Sequence, residues 1–231
     1  MLTMLRAVIF DFDGVIADSE ALHLRAFNVI LKPFRVDIST QTYYRDYLGL
    51  TDFECFTQVV ADRRLGLDEA AVRGLVARKN RVFKEFAATE GHIIDGVIPF
   101  LNMLGAAAIP VAICSGAKRI EIRQILDQAG LNGYFETIVA ADDVAKGKPD
   151  PQGFLLTLDR LNEGRHPPII AAQCVVIEDS RWGLSAAQAA GMKTIAVTNS
   201  YDATELTAAD LVVDRLDALT LDQIHGLCAT P

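Results

Sequence analysis

Six short apolar runs constrain this chain more than any other feature: residues 7–10, 110–114, 137–140, 174–177, 194–197 and 211–213. A run that is apolar at nearly every position yet too short for a buried helix suits a strand covered on both faces. Between the runs lie helix-like stretches at 117–130, 151–162, 180–191 and 202–208, with Gly130 and Gly191 where helix C-caps would fall. Strand–helix alternation of this kind predicts an α/β fold, a parallel sheet covered by helices on both faces.

Residues 19–91 break the alternation. They read as helices throughout, at 20–31, 40–48, 52–64 and 68–88, with no strand between them. The expectation is an all-helical cap domain over 19–91, inserted after the first strand into a core domain made of 1–18 and 92–231. Tyr43, Tyr44 and Tyr47 read as core of that cap. There is no internal repeat and no low-complexity segment.

In an open parallel sheet, ligands bind at the carboxyl ends of the strands. Those ends carry Asp11-Phe-Asp13-Gly14, then Ser115-Gly116, then Asp142-Asp143 leading to Lys148, then Glu178-Asp179-Ser180. Asp followed by Gly is also common in a plain polar turn. Two acidic pairs at the ends of buried strands are nevertheless costly without a positive partner. A hard divalent cation is the natural remedy, and an open oxygen site suits Mg²⁺, which keeps waters and takes a phosphate oxygen. An EF-hand is excluded, because Val15, Ile16 and Leu22 occupy its fifth, sixth and twelfth positions.

The other strand ends are less specific when taken singly. Lys148 stands in Lys146-Gly-Lys-Pro-Asp-Pro151, which is not a P-loop, since Asp142 occupies the first-glycine position. Alone it reads as a solvated lysine; beside carboxylates and a phosphate it would neutralise transition-state charge. Ser115 and the Gly116 amide read equally as an anion site or as an N-cap. Lys118 opposes the dipole of the helix it opens, which suggests another purpose for it. No paired histidine spacing occurs, and only His23 lies near the acidic loop. Trp182 reads as a packing residue rather than a substrate platform.

Composition narrows the partners. The net charge is −8, with 51% hydrophobic and 23% charged residues and no cluster of lysines and arginines. That argues against nucleic acid as the main partner and against disorder. No apolar run reaches the length of a membrane helix. The start lacks a basic n-region and meets Asp11 and Asp13 early, so no signal peptide is expected. The four cysteines, Cys55, Cys114, Cys174 and Cys228, are scattered, as buried thiols in a reducing compartment would be, so a cytoplasmic location is expected.

Four ordered motifs, Asp11-Phe-Asp-Gly-Val-Ile-Ala-Asp18, Ser115, Lys148 within Lys-Pro-Asp-Pro, and Glu178-Asp179-Ser180, resemble the haloacid dehalogenase-like hydrolase superfamily over nearly the whole chain. The branch is that of β-phosphoglucomutase, phosphoglycolate phosphatase and sugar-phosphate phosphatases, with a C1 cap. The resemblance implies a Rossmann-like three-layer core, Mg²⁺ and an aspartyl-phosphate intermediate. It implies Asp11 as nucleophile and metal ligand. Asp13 would be the general acid and then base, lending its backbone carbonyl to the metal. Ser115, Gly116, Lys148, Gly14 and Lys118 would sit around the phosphate, and Glu178 and Asp179 would complete the metal site.

Asp13 argues for phosphate esters, since dehalogenases and phosphonate-cleaving relatives lack the second acid. Glu178-Asp179 resembles the sugar-phosphate branch rather than phosphoglycolate phosphatases. In β-phosphoglucomutases an arginine usually follows the cap-loop glycine, whereas Gly49-Leu-Thr51-Asp52 puts an acid there. His23 and Lys79 match mutase hinge positions, and these cap residues are expected substrate contacts. The expected activity is therefore a Mg²⁺-dependent phosphatase of small phosphate monoesters, acting on a phosphorylated metabolite as a monomer or weak dimer. The alternatives are a phosphomutase and a non-catalytic phosphometabolite-binding protein.

Overall fold

The structure is a computed structural model and describes residues 4–48, 50–90 and 92–229. In chain order, β1 (Ala7–Phe10) and β2 (Ala17–Asp18) lead into α1 (Glu20–Leu31), α2 (Thr40–Thr42), α3 (Asp52–Asp62) and α4 (Glu69–Glu90). Then follow β3 (His92–Ile93), α5 (Val97–Ala106), β4 (Val111–Cys114), α6 (Arg119–Ala129), β5 (Thr137–Val139) and α7 (Gln152–Leu161). The chain ends through β6 (Cys174–Glu178), α8 (Arg181–Ala189), β7 (Lys193–Val197), β8 (Leu211–Val213) and α9 (Leu221–Cys228). Two compact units result, one of residues 1–18 with 92–231 and one of residues 19–91.

In the first unit six strands form one sheet in the order β5-β4-β1-β6-β7-β8, with every neighbouring pair parallel. All four residues of β1 are fully buried, which explains its lack of polar alternation. One face of the sheet presents Ala7, Ile9, Ala112, Cys114, Cys174 and Val176 to Phe154 and Leu161 of α7 and to Ala186 and Ala187 of α8. On the other face Phe10 meets Phe100 of α5 and Phe135 edge-on, at 5.9 and 6.1 Å between ring centroids. Each such side chain contributes roughly 1.5–3 kcal/mol on burial. The expected doubly covered parallel sheet is therefore what forms. β2 and β3 make a separate antiparallel pair.

The second unit buries a core of its own, with Leu24, Phe27, Ile30 and Leu31 of α1 against Phe56 and Val59 of α3 and Val72 and Leu75 of α4. Phe27 and Phe56 meet edge-on at 4.9 Å. Tyr43 and Tyr47 are buried here, and the Tyr43 hydroxyl donates to Glu20 at 2.7 Å.

Some local expectations change. Residues 40–48 are not one α-helix. After α2 the chain widens into a π-type turn over Tyr43–Tyr47, closed by the Leu48 N–H on the Tyr43 carbonyl. The helix expected at 202–208 is a single 3₁₀ turn, Ala203–Glu205, because a segment this short cannot offset its own nucleation cost. Trp182 is not packed: it is 49% exposed near the start of α8. The four cysteines are all buried with free thiols. Among the described residues no helix is long and apolar enough to cross a membrane.

Candidate active site

The register of the sheet brings the strand ends level. Phe10 pairs with Ile113 on one side and Ile177 on the other, so Asp11 lies abreast of Cys114 and Glu178. The Asp11 N–H continues the ladder, donating to the Ile177 carbonyl at 2.9 Å, and the Ser115 N–H donates to the Val139 carbonyl at 3.0 Å. These side chains thus emerge from a frame that is bonded on both sides.

Asp11, Glu178 and Asp179 are all buried, and each offers a carboxylate oxygen within 4.8 Å of the others. The Lys148 ammonium enters from the loop before α7 and lies 2.7 Å from Asp11 Oδ1 and 2.5 Å from Glu178 Oε1, above the Phe154 ring. Burial by itself lowers the Lys148 pKa, but Asp11 and Glu178 outweigh it and the net shift is upward.

Glu178 is engaged on both oxygens. Oε1 takes Lys148, and Oε2 accepts the Asp179 and Ser180 N–H groups at 3.2 Å and the Ser180 hydroxyl at 2.9 Å. Burial pushes its pKa up, Lys148 opposes that, and Asp11 adds to it.

Three carboxylates against one ammonium leave an excess of negative charge in a buried place. Asp11 Oδ1, although paired with Lys148, has no hydrogen-bond donor of good geometry among the described residues. An underserved buried carboxylate oxygen among clustered acids fits a hard divalent cation.

Two glycines make the cluster possible. Gly14 takes φ +74°, and a Cβ there would fall 1.8 Å from Asp179 Oδ2. At Gly183, in the first turn of α8, a Cβ would fall 1.8 Å from Glu178 Oε1. Asn199 and Ser200, just after β7, also reach in. Asn199 Nδ2 donates to the Gly14 carbonyl at 2.7 Å, and the Ser200 hydroxyl donates to Asp179 Oδ2. Gly183, Asn199 and Ser200 were not among the expected site residues, although the strand-end rule applied to β7 would have pointed to the last two.

The remaining expected residues distribute as follows. Asp13 is half-buried in the turn after Asp11, bridged to Ala17. Ser115 is buried, and its Oγ accepts the Ala117 N–H at 3.0 Å. It caps no helix, because α6 starts later, at Arg119. Gly116 and Lys118 are exposed, and the Lys118 N–H is capped by Glu121 at 3.2 Å. Asp142 and Asp143 stand apart from the acid cluster. Asp142 accepts the Arg119 N–H at 2.9 Å, and Asp143 pairs with Arg119 and Arg160.

In the helical unit, His23, Asp52 and Lys79 come together. Lys79 Nζ lies 2.6 Å from both Asp52 Oδ1 and His23 Nδ1, and its side chain is only 1% exposed. Thr51 forms a capping box with Glu54 at the start of α3. Gly49 lies outside the described residues.

Comparison with known proteins fits this picture. Residues 8–197 match the family model described as "Haloacid dehalogenase-like hydrolase". The chain is 29% identical over 223 residues to 5-amino-6-(5-phospho-D-ribitylamino)uracil phosphatase of Arabidopsis thaliana, covering 96% of this chain but only 57% of that relative's length. It is 30% identical over 193 residues to the phosphorylated carbohydrates phosphatase of Thermotoga maritima, covering 83% of this chain and 84% of that one. Among solved structures, β-phosphoglucomutase from Clostridium difficile superposes with a TM-score of 0.82 at 24% identity, with 97% of each chain covered.

Proposed function

The chain belongs to the haloacid dehalogenase-like hydrolases, and from that premise we propose that it hydrolyses small phosphate monoesters, of sugars or related metabolites, with Asp11 as the nucleophile. The observation that carries this reading is the meeting of Asp11, Glu178, Asp179 and Lys148 at the ends of the central strands. The named activities of the relatives, phosphatases of a ribityl phosphate and of phosphorylated carbohydrates, support the substrate class.

Asp11 and Asp179, with the Asp13 carbonyl, are the groups we assign to Mg²⁺. Bound there, the ion would supply charge neutralisation to the phosphoryl oxygens. Glu178 belongs to the same acid cluster, and with both oxygens engaged it holds Lys148 in place.

The Asp11 carboxylate attacks phosphorus, the P–O bond to the ester oxygen breaks, and Asp13 gives its proton to the leaving oxygen. Water then attacks the aspartyl phosphate, Asp13 takes back a proton, and phosphate and free Asp11 result. Lys148 balances the charge that spreads over the phosphoryl oxygens, and Ser115 with the Gly116 amide holds them. The helical unit acts as a cap that selects the substrate. We place the enzyme in the cytoplasm, on its four buried free thiols.

A phosphomutase is the second reading, favoured by the His23–Lys79 contact at positions that match mutase hinge residues. Against it stands Asp52, an acid that is already paired with Lys79 where a mutase carries an arginine. A phosphate-release screen over phosphorylated metabolites, with and without Mg²⁺, tests the proposal. Asp11→Asn should lose roughly 10⁴–10⁶-fold in kcat. Normal turnover by that variant overturns the mechanism. Isomerised hexose phosphate without free phosphate, from a hexose 1-phosphate plus catalytic bisphosphate, selects the mutase.

A further inference from the structure

The loop after β7 belongs to none of the four motifs, yet it touches two of them. Its Ser200 hydroxyl donates to Asp179 Oδ2, and its Asn199 amide donates to the Gly14 carbonyl at 2.7 Å. Gly14 is the point where these contacts converge, since a Cβ on it would meet Asp179 Oδ2 at 1.8 Å and Ser200 Oγ at 2.8 Å. The loop is in turn tied to the start of α8: the Arg181 guanidinium lies over the Tyr201 ring at 5.3 Å and pairs with Glu205 at 3.7 Å. Arg181 follows Asp179 by two residues and Tyr201 follows Ser200 by one. The two loops are thus joined at the acid and again beside it.

A monodentate carboxylate ligand needs its second oxygen held, or it loses rotamer entropy on each binding event and turns freely toward neighbouring donors. Lys148 holds Asp11 and Glu178, and the Ser200 hydroxyl holds Asp179 Oδ2. Ser200 supplies that restraint.

We propose that Ser200 is a positioning residue for the divalent cation. It fixes one oxygen of Asp179 so that the other faces the ion, while Asn199 fixes the turn that carries Asp13. The inference rests on the phosphatase reading and sharpens its metal site, with Ser200 acting through Asp179 rather than touching substrate.

The test is Mg²⁺ binding followed by thermal shift and by calorimetry, in the full chain without substrate, for the wild type, Ser200→Ala and Ser200→Thr. Partners that orient a metal ligand are worth roughly 10–100-fold in affinity. The expected result is that Ser200→Ala weakens Mg²⁺ binding about tenfold, with its melting temperature in EDTA unchanged. Ser200→Thr, which keeps the hydroxyl, should restore binding. In the activity assay, the Mg²⁺ concentration for half-maximal rate should rise in parallel, with kcat recovered at saturating Mg²⁺.

Superimposable Mg²⁺ titrations of the wild type and Ser200→Ala would overturn the inference and leave the phosphatase reading intact. A lowered melting temperature in EDTA with unchanged Mg²⁺ affinity would also overturn it, by making the contact purely structural. No Mg²⁺ binding by the wild type would remove the metal site itself, and both readings with it.

Discussion

Lys79 in one unit is fully buried and Lys148 in the other half-buried, and the two ammonium groups have opposite surroundings. Lys79, in the helical unit, meets one carboxylate, Asp52, one imidazole nitrogen of His23, and the faces of Phe27 and Phe83 at 4.8 and 5.1 Å. Charge there is balanced one to one, and aromatic faces complete the shell. Lys148, in the sheet unit, meets two carboxylates with a third beside them. Charge there is left negative. A balanced buried pair is a way to order a core. An unbalanced one leaves negative charge that a further cation can meet.

Removing each lysine should have a different effect. Lys148→Met should cost roughly 10³-fold in kcat, because transition-state charge loses its fixed counter-ion. Its melting temperature should fall without Mg²⁺ and recover when Mg²⁺ is added, while activity does not recover. Gly183→Ala should come next, since its methyl group overlaps Glu178 and displaces the carboxylate that holds Lys148. We expect a loss of about 10²-fold in kcat, together with a lower melting temperature, because overpacking costs about 1–3 kcal/mol.

Lys79→Met should leave the chemistry of the sheet unit alone but destabilise by about 2–3 kcal/mol, seen as an earlier urea midpoint, because the partly exposed Asp52 loses the ammonium beside it. Adding Asp52→Leu should recover much of that loss, as replacing both members of a buried pair usually does. A Lys148→Met protein rescued in the same way by Asp11→Leu would regain stability but no activity.

The smallest effect concerns pH. Burial first, and the neighbouring Lys79 ammonium second, hold the His23 pKa well below 6.5. The unfolded chain therefore binds a proton near pH 6.5 that the folded chain refuses. Stability is full above that pH and declines below it, by at most about 1.4 kcal/mol per pH unit from this group. His23→Gln should flatten the decline in melting temperature between pH 6.5 and 5.5. An unchanged slope would mean that the imidazole titrates freely.

What could be read from the sequence followed from locality. Asp11, Ser115, Glu178 and Asp179 stand directly after apolar runs, so a strand-end rule finds them without knowing the fold. Lys148 needed its acidic neighbours to be read as more than a solvated side chain. Ser200 also stands beyond a strand, but a lone Ser after Thr-Asn carries no acid or glycine to draw attention. Gly183 is silent in sequence, because the reason for it is a carboxylate five residues back folded onto α8. The pairing of Asp52 with Lys79 joins two helices and leaves no periodic trace. Val97–Ala106 went unread as a helix because it is apolar nearly all round and carries Pro99 in its first turn, so no polar face marks its period.

The place of β1 in the middle of the sheet has a consequence for how the chain is made. Val8 is synthesised well before its partners, Val111 on one flank and Val175 on the other. Until Val175 has been synthesised, this fully buried, all-apolar strand has an open edge. A stalled or truncated nascent chain ending between those two partners should be the species that chaperones hold and that aggregates first.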